Sequence, residues 1–177
     1  GTSGLAAESL ASQTVTLVGT FLDPATPSFT LGGTTSLVLD FGTVNQYSSP
    51  GDLAFDIWNL ATTAGFTADL GLTSIVSGTG NSGVFSFSPT LSVFNNLASG
   101  TFNSYLTSLD TSTTGSFENT YTLNFVSQSG TSNLGAPQSM TLTLRGVIAV
   151  PEPTTLALIG VAAAAATLSL RRRRSAS

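Results

Sequence analysis

Across residues 14–150 apolar side chains mostly recur at every second position, and Gly, Pro, Asn and Ser gather between the runs. A period of two is that of a strand with one face on a core and the other in water, whereas a helix repeats every 3.6 residues. Val15, Leu17 and Phe21 alternate with Thr14, Thr16 and Thr20. In SLVLDF, Leu37, Leu39 and Phe41 share one side, and in LAFDIWN Leu53, Phe55 and Ile57 lie opposite Asp56 and Trp58. FTADLGL sets Phe66, Ala68, Leu70 and Leu72 against Thr67, Asp69 and Gly71. YTLNF aligns Tyr121, Leu123 and Phe125, and SMTLTLRGVI aligns Met140, Leu142 and Leu144 opposite Thr141, Thr143 and Arg145. The clusters DPATP, QYSSPGD, SGTGNSG, TSTTGS and QSGTSNLGAP read as turns between these runs. No stretch of the body keeps a helical period over three turns. One-faced alternation belongs to antiparallel sheets, so about eight or nine short strands predict an all-β antiparallel sandwich over residues 13–150. A body of about 140 residues buries roughly two thirds of its chain surface, enough for a core without disulfides.

The residues the chain lacks exclude much of chemistry. It has no Cys, no His and no Lys, and its bases are Arg145 and Arg171, Arg172, Arg173 and Arg174. Thiol nucleophiles, Cys/His zinc sites, Ser-His-Asp triads and Lys Schiff bases are therefore unavailable. Ser and Thr number 25 and 28, while charged residues make up only 8% of the chain. So weakly charged and hydroxyl-rich a composition reads as an exported β-protein. Residues 1–150 carry eight acids against Arg145, a net of −7. Such a body repels nucleic-acid phosphates, and no basic stripe offsets the repulsion. Residues 151–177 set Glu152 against four arginines, a net of +3, and form a different object.

Candidate sites in the body are few. The 11 Phe fall mostly on apolar strand faces and read as core. Trp58 falls on the polar face of its strand, where it either covers a sheet edge or offers a stacking platform to a sugar; Tyr47 and Tyr105 are further candidates for such a platform. Asp52 and Asp56 share a strand face, but four residues at ~3.3 Å set their Cα atoms roughly 13 Å apart. That is wide for a glycosidase pair, whose carboxyls stand ~5–9.5 Å apart. Asp40, Asp52 and Asp69 could meet through loops on calcium, yet no D-x-D-x-D-G run exists. Gly78 to Gly83 (GTGNSG) has the glycines of a phosphate loop without its Lys or its strand–loop–helix setting, and reads as a turn. No metal site, cofactor or catalytic group is expected. None of the nine Asn lies in an N-x-[ST] sequon.

The two ends are read separately. Gly1 stands where an initiator Met would be, consistent with a mature form or a fragment, and residues 1–12 (GTSGLAAESLAS) are expected to be a flexible or processed leader. At the other end Pro151-Glu152-Pro153 cannot continue a strand or a helix. Residues 154–170 then run 17 positions without a charge. At ~1.5 Å per residue they span about 25 Å, near the short limit for crossing a ~30 Å hydrocarbon core as a helix. The four arginines that follow can snorkel and hold that end in the cytoplasm, leaving the body outside.

Val150-Pro151-Glu152-Pro153, the Thr-rich start of the apolar run, its small residues and the terminal arginines together resemble the PEP-CTERM sorting signal of exported bacterial proteins. The resemblance covers about 25 residues. It implies recognition by an exosortase, a membrane cysteine protease/transpeptidase, through Pro151, Glu152 and Pro153 with cleavage nearby, and retention through Arg171 to Arg174. It further implies transient residence in the inner membrane of a diderm bacterium with an exopolysaccharide system. A looser resemblance covers the body: LVLDFGTV, then PGDLAFDIWN with its F-x-I-x-N strand, and NLASGTFNSYLTSLDTSTTGSFENTYTLNF are similar to immunoglobulin-like choice-of-anchor and ASH-type domains. The expected whole is an immunoglobulin-like antiparallel β-sandwich (13–150) followed by a PEP-CTERM signal (151–177) with one C-terminal transmembrane helix. The expected role is that of a non-catalytic surface or matrix protein, with a carbohydrate-binding module of the exopolysaccharide matrix as the alternative and a two-carboxylate hydrolase far behind.

Overall fold

The computed structural model describes residues 12–130 and 132–150. The leader, the Pro-Glu-Pro motif, the expected transmembrane helix and the arginine cluster therefore lie outside the described residues, apart from residue 12. Nine strands form: β1 (Thr26–Ser28), β2 (Ser36–Asn45), β3 (Leu53–Leu60), β4 (Asp69–Ser77), β5 (Phe85–Ser88), β6 (Phe94–Leu97), β7 (Phe102–Leu109), β8 (Gly115–Ser129) and β9 (Ser132–Ala149). Between β4 and β5 a 3-10 turn covers Ser82–Val84. The strands make two sheets, one in the order β1-β3-β7-β5 and the other in the order β2-β9-β8-β4-β6.

The core fills the space between the sheets because the predicted parities hold. Leu70 and Leu72 of β4, Leu123 and Phe125 of β8, and Met140, Leu142 and Leu144 of β9 are all buried and meet Phe55 and Ile57 of β3. Aromatic edges join the layers: Phe87 of β5 meets Tyr121 of β8 edge-on at 5.3 Å, and Phe41 of β2 stacks on Phe85 of β5 at 6.2 Å. Of the 11 Phe, eight belong to the core or pack on it; Phe21, Phe66 and Phe102 are exposed.

Several expectations are corrected. The sheets are not wholly antiparallel: β2 runs parallel to β9, Ser36 facing Thr141 through Asp40 facing Arg145. Alternation along β2 reports its half-buried face but not its partner's direction, which depends on contacts a hundred residues away. The FG of LVLDFGTV forms a bulge inside β2, where the register slips between Asp40 and Thr43. Gly42 takes a φ of 66° there and its N–H donates to Asp40 Oδ1 at 2.8 Å, so the aspartate stabilises the bulge locally.

Residues 14–21 alternate as a strand should, yet no strand forms, and Val15, Leu17, Val18 and Phe21 are exposed. A strand needs a neighbour for its N–H and C=O groups, and among the described residues this segment has none. FTADLGL begins one turn too early. Phe66 N–H donates to Thr63 O and Thr67 Oγ1 to the same carbonyl, so residues 63–67 close a turn and β4 starts at Asp69. Conversely, part of DPATP is strand β1, at a sheet edge where Pro27 costs no ladder bond on its free side. QSGTSNLGAP is mostly β9, paired to β8 around a tight reversal at Gly130. Pro137 falls where that pairing skips from Gln138 to Leu134 and where β9 has not yet met β2, so its missing N–H is tolerated.

One buried polar side chain ties the layers. Asn59, the last residue of the F-x-I-x-N run, is fully buried, and its Oδ1 accepts Thr26 N–H at 3.2 Å. Its Nδ2 donates to the carbonyls of Ala68 and Leu97, each at 3.0 Å. A strand of the four-stranded sheet thereby holds the edge strand β1, the entry to β4 and the end of β6.

Candidate functional site

The outer face of the four-stranded sheet carries the most distinctive surface chemistry. On β3 the parity that buries Phe55 and Ile57 turns Ala54, Asp56 and Trp58 outward. Antiparallel pairing sets Trp58 opposite Phe102, Asp56 opposite Ser104 and Ala54 opposite Leu106. Trp58 and Phe102 lie with ring centroids 4.2 Å apart and planes 34° from parallel, and Phe102 is 46% exposed. Next to them Ser104 Oγ donates to Asp56 Oδ1 at 2.6 Å; further along β7, beyond the exposed Leu106, the Ser108 hydroxyl lies 2.7 Å from that of Ser86 on β5. The result is an aromatic pair beside a carboxylate–hydroxyl pair, with two more hydroxyls beyond an apolar side chain. Such a face can stack on the C–H side of a pyranose and hydrogen-bond its hydroxyls.

Other expected platforms are not brought to it. Tyr105 points inward, buried against Phe55 at 5.3 Å, and burial pushes its phenol above the usual range despite the opposing hydrogen bond from Asn103. Tyr47 sits exposed on the turn after β2 with a φ of 61°, its N–H held by Thr111 O, away from any sheet face. Phe102 was missed by sequence reasoning. It follows the turn at residues 98–101, and only the β3–β7 register shows that it faces Trp58.

The carboxylates are dispersed. Asp56 is occupied by Ser104, Asp23 accepts the Thr63 hydroxyl, and Asp110 accepts Ser112 N–H. Asp52 precedes β3 and is exposed, so it does not continue the strand face of Asp56. Among the described residues no three acidic side chains gather as a metal site would need. Asp40 faces Arg145 across β2 and β9, with Arg145 Nε donating to Asp40 Oδ2 at 2.9 Å, and Glu118 is the register partner of Arg145 on the other side. The Gly42 N–H holds the Asp40 carboxyl below its ordinary range against the opposing effect of desolvation, with lesser help from Arg145. That is the opposite of the upward shift that a general acid needs. A shallow cleft of about 230 Å³ lies over this row.

The loop around GTGNSG is a close backbone contact rather than a cradle for phosphate. Gly78 N–H donates to Thr120 O and Asn81 N–H to Glu118 O, so the loop runs against β8. A Cβ at Gly80 would overlap the Glu118 carbonyl, which only glycine avoids.

Residues 149–174 match the PEP-CTERM protein-sorting motif. The chain carries an export and surface-sorting signal. The match begins at Ala149, which is also the last residue of β9, so folded body and signal meet without an intervening linker. No curated protein sequence matches the chain. The ASH/PapD-like domain 7 of human CEP192 is similar in fold, with a TM-score of 0.50 at 14% identity over 81% of this chain and 100% of that domain. Weaker likenesses are to the Vibrio cholerae VesB protease (TM-score 0.44, 16% identity, 70% of this chain) and to WR4, a C. elegans MSP family member (0.37, 13%, 60% of this chain and 92% of that chain). This chain spans about a third of the VesB chain, 31% of its length. At these identities the likeness is one of fold.

Proposed function

We propose that the protein is a non-catalytic, exported bacterial surface or matrix component, sorted by an exosortase through its C-terminal signal. The observation that carries this reading is the coincidence of the sorting motif with the end of β9. Among the described residues strand pairing ends at Ala149, whose carbonyl still accepts Gln46 N–H at 2.7 Å. Cleavage near Glu152 therefore leaves every paired residue of the sandwich in place. In this reading residues 1–12 are the leader, 13–150 the sandwich and 151–177 the signal. By their chemistry Pro151 and Pro153 lack an N–H and disfavour helix in the residue before each, which suits Pro151-Glu152-Pro153 to a protease groove. Residues 154–170 cross the inner membrane, and Arg171, Arg172, Arg173 and Arg174 stay cytoplasmic, since each costs roughly 2.5–3.5 kcal/mol at a bilayer centre on insertion scales. Removing a tail of net +3 releases a body of net −7 to the outer side.

Intact mass of the protein from its native host, with and without the exosortase, tests the reading. The expected result is a C-terminus near residue 152 only when the exosortase is present. Arginines retained on the surface form in both strains would replace sorting by permanent anchoring.

The Trp58–Phe102 pair supports a second reading, in which the sandwich binds exopolysaccharide. Glycan-array binding that is lost in both Trp58→Ala and Phe102→Ala, with an unchanged melting temperature, would support it. Equal binding by those variants would refute it.

A further inference from the structure

We propose that residues 14–21 act as a donated β-strand, pairing with the free edge of β2 in a second copy of this chain. TVTLVGTF has the composition of a strand: Val15, Leu17 and Phe21 fall on one side and Thr14, Thr16 and Thr20, with Val18, on the other, and it holds no Pro and no charge. Among the described residues the segment pairs with nothing, and Val15, Leu17 and Phe21 are 79%, 93% and 93% exposed. So much strand-forming, apolar chain left in water is a segment awaiting an edge.

The sheets offer four edges among the described residues: β1, β5, β2 and β6. β1 has three residues, and β5 and β6 four each, whereas β2 has ten. Only β2 matches an eight-residue strand in length. Its exposed face includes Val38, and its one charge, Asp40, is already paired with Arg145. Residues 12–22 hold no charge either, so this junction escapes the repulsion that two acidic bodies would feel elsewhere.

Geometry directs the pairing to another molecule. Leu22 lines a small cavity with Leu134 and Gly135 of β9, while β2 meets β9 only from Thr141 onward. Seven residues of β9 at ~3.3 Å put the start of β2 roughly 20 Å from Leu22. Bridging that gap consumes about six residues at ~3.5 Å each, which leaves most of the segment unable to pair in cis. Because the donor and the acceptor are different surfaces, repeated addition grows a ring or a chain of sandwiches.

The test uses the full-length chain, whose lack of cysteine makes any disulfide diagnostic. Leu17→Cys and Val18→Cys, which sample both faces of the segment, are each mixed with Ser36→Cys, Val38→Cys or Thr43→Cys on differently tagged chains and exposed to a mild added oxidant. A mixed disulfide with a β2 position, and none with Ser86→Cys or Ser88→Cys on the β5 edge, is expected. It should disappear when the remaining segment residues Val15 and Phe21 are changed to Ser. In sedimentation, Val15→Ser/Leu17→Ser/Phe21→Ser should shift the full chain to a smaller species with no loss of melting temperature, since those side chains touch no core. The proposal is overturned by absence of the mixed disulfide at all three β2 positions. Equal cross-linking to β5, or identical sedimentation of the triple variant and the unmodified chain, overturns it as well.

Discussion

Asn59 is one buried amide that ties the two sheets together. Asn59→Ala deletes the acceptor for the part-buried Thr26 N–H and the two donors to Ala68 O and Leu97 O, whose bonds are buried. With each bond worth a net ~0.5–1.5 kcal/mol, and orphaned buried groups costing somewhat more, the loss is about 3 kcal/mol. That is a large share of a domain's typical ~5–15 kcal/mol. For a body of this size it corresponds to a fall in Tm of roughly 10 °C. Asn59→Asp is the sharper variant, because it preserves shape and the Thr26 bond while turning both donors into an acceptor aimed at two carbonyls. It should melt below Asn59→Ala at pH 7 although it leaves no cavity. Burial and the two carbonyls raise the introduced carboxyl above its unfolded value of about 3.9. A raised carboxyl destabilises the fold above that unfolded value and relents as pH falls. The gap to the unmodified protein should therefore narrow between pH 7 and pH 4. Circular dichroism melts of the full chain in mild detergent measure all three. An Asn59→Ala variant melting within about 2 °C of the unmodified protein, or Asn59→Asp more stable than Asn59→Ala at pH 7, would refute the clamp.

Leu123→Asp should abolish the cooperative melt altogether, since position 123 is fully buried at the centre of β8 and an unpaired carboxylate there costs more than about 4 kcal/mol. Gly71→Ala should lower stability by about 2 kcal/mol, read from denaturant midpoints. The new methyl would strike the Gln128 amide at 2.5 Å, displacing a side chain that accepts from Asn96 N–H and donates to Asn95 and Asn133. Asp40, whose carboxyl is held low, contributes stability that is present above its unfolded value and lost as pH falls through its folded one. Asp40→Asn should accordingly flatten the acid limb of a stability–pH profile, and an unchanged limb would contradict the assigned bond from Gly42.

What could be read in the sequence was whatever depends on parity. The alternation in YTLNF of β8 and SMTLTL of β9 picks out the buried Tyr121, Leu123, Phe125, Met140, Leu142 and Leu144, and the same rule puts Trp58 outside. What could not be read depends on partners. The parallel match of β2 to β9, the facing of Trp58 by Phe102 and the hold of Asn59 on Thr26 and Leu97 each join segments dozens of residues apart. Alternation is silent about such pairings. Residues 14–21 show the converse: a strand-like alternation stays unpaired because no neighbouring strand is supplied among the described residues.

The last strand of the sandwich is also an interior one. β9 is gripped by β2 on one side and β8 on the other, and it ends at the residue where the sorting motif begins. Any pull on the chain beyond Ala149 thus enters the fold along the axis of a doubly held strand. The load is shared across two ladders in shear, rather than peeling bonds one at a time from an edge. A body tugged by its tail at the membrane, or later by its attachment to a cell surface, resists as a riveted plate does and not as a zipper.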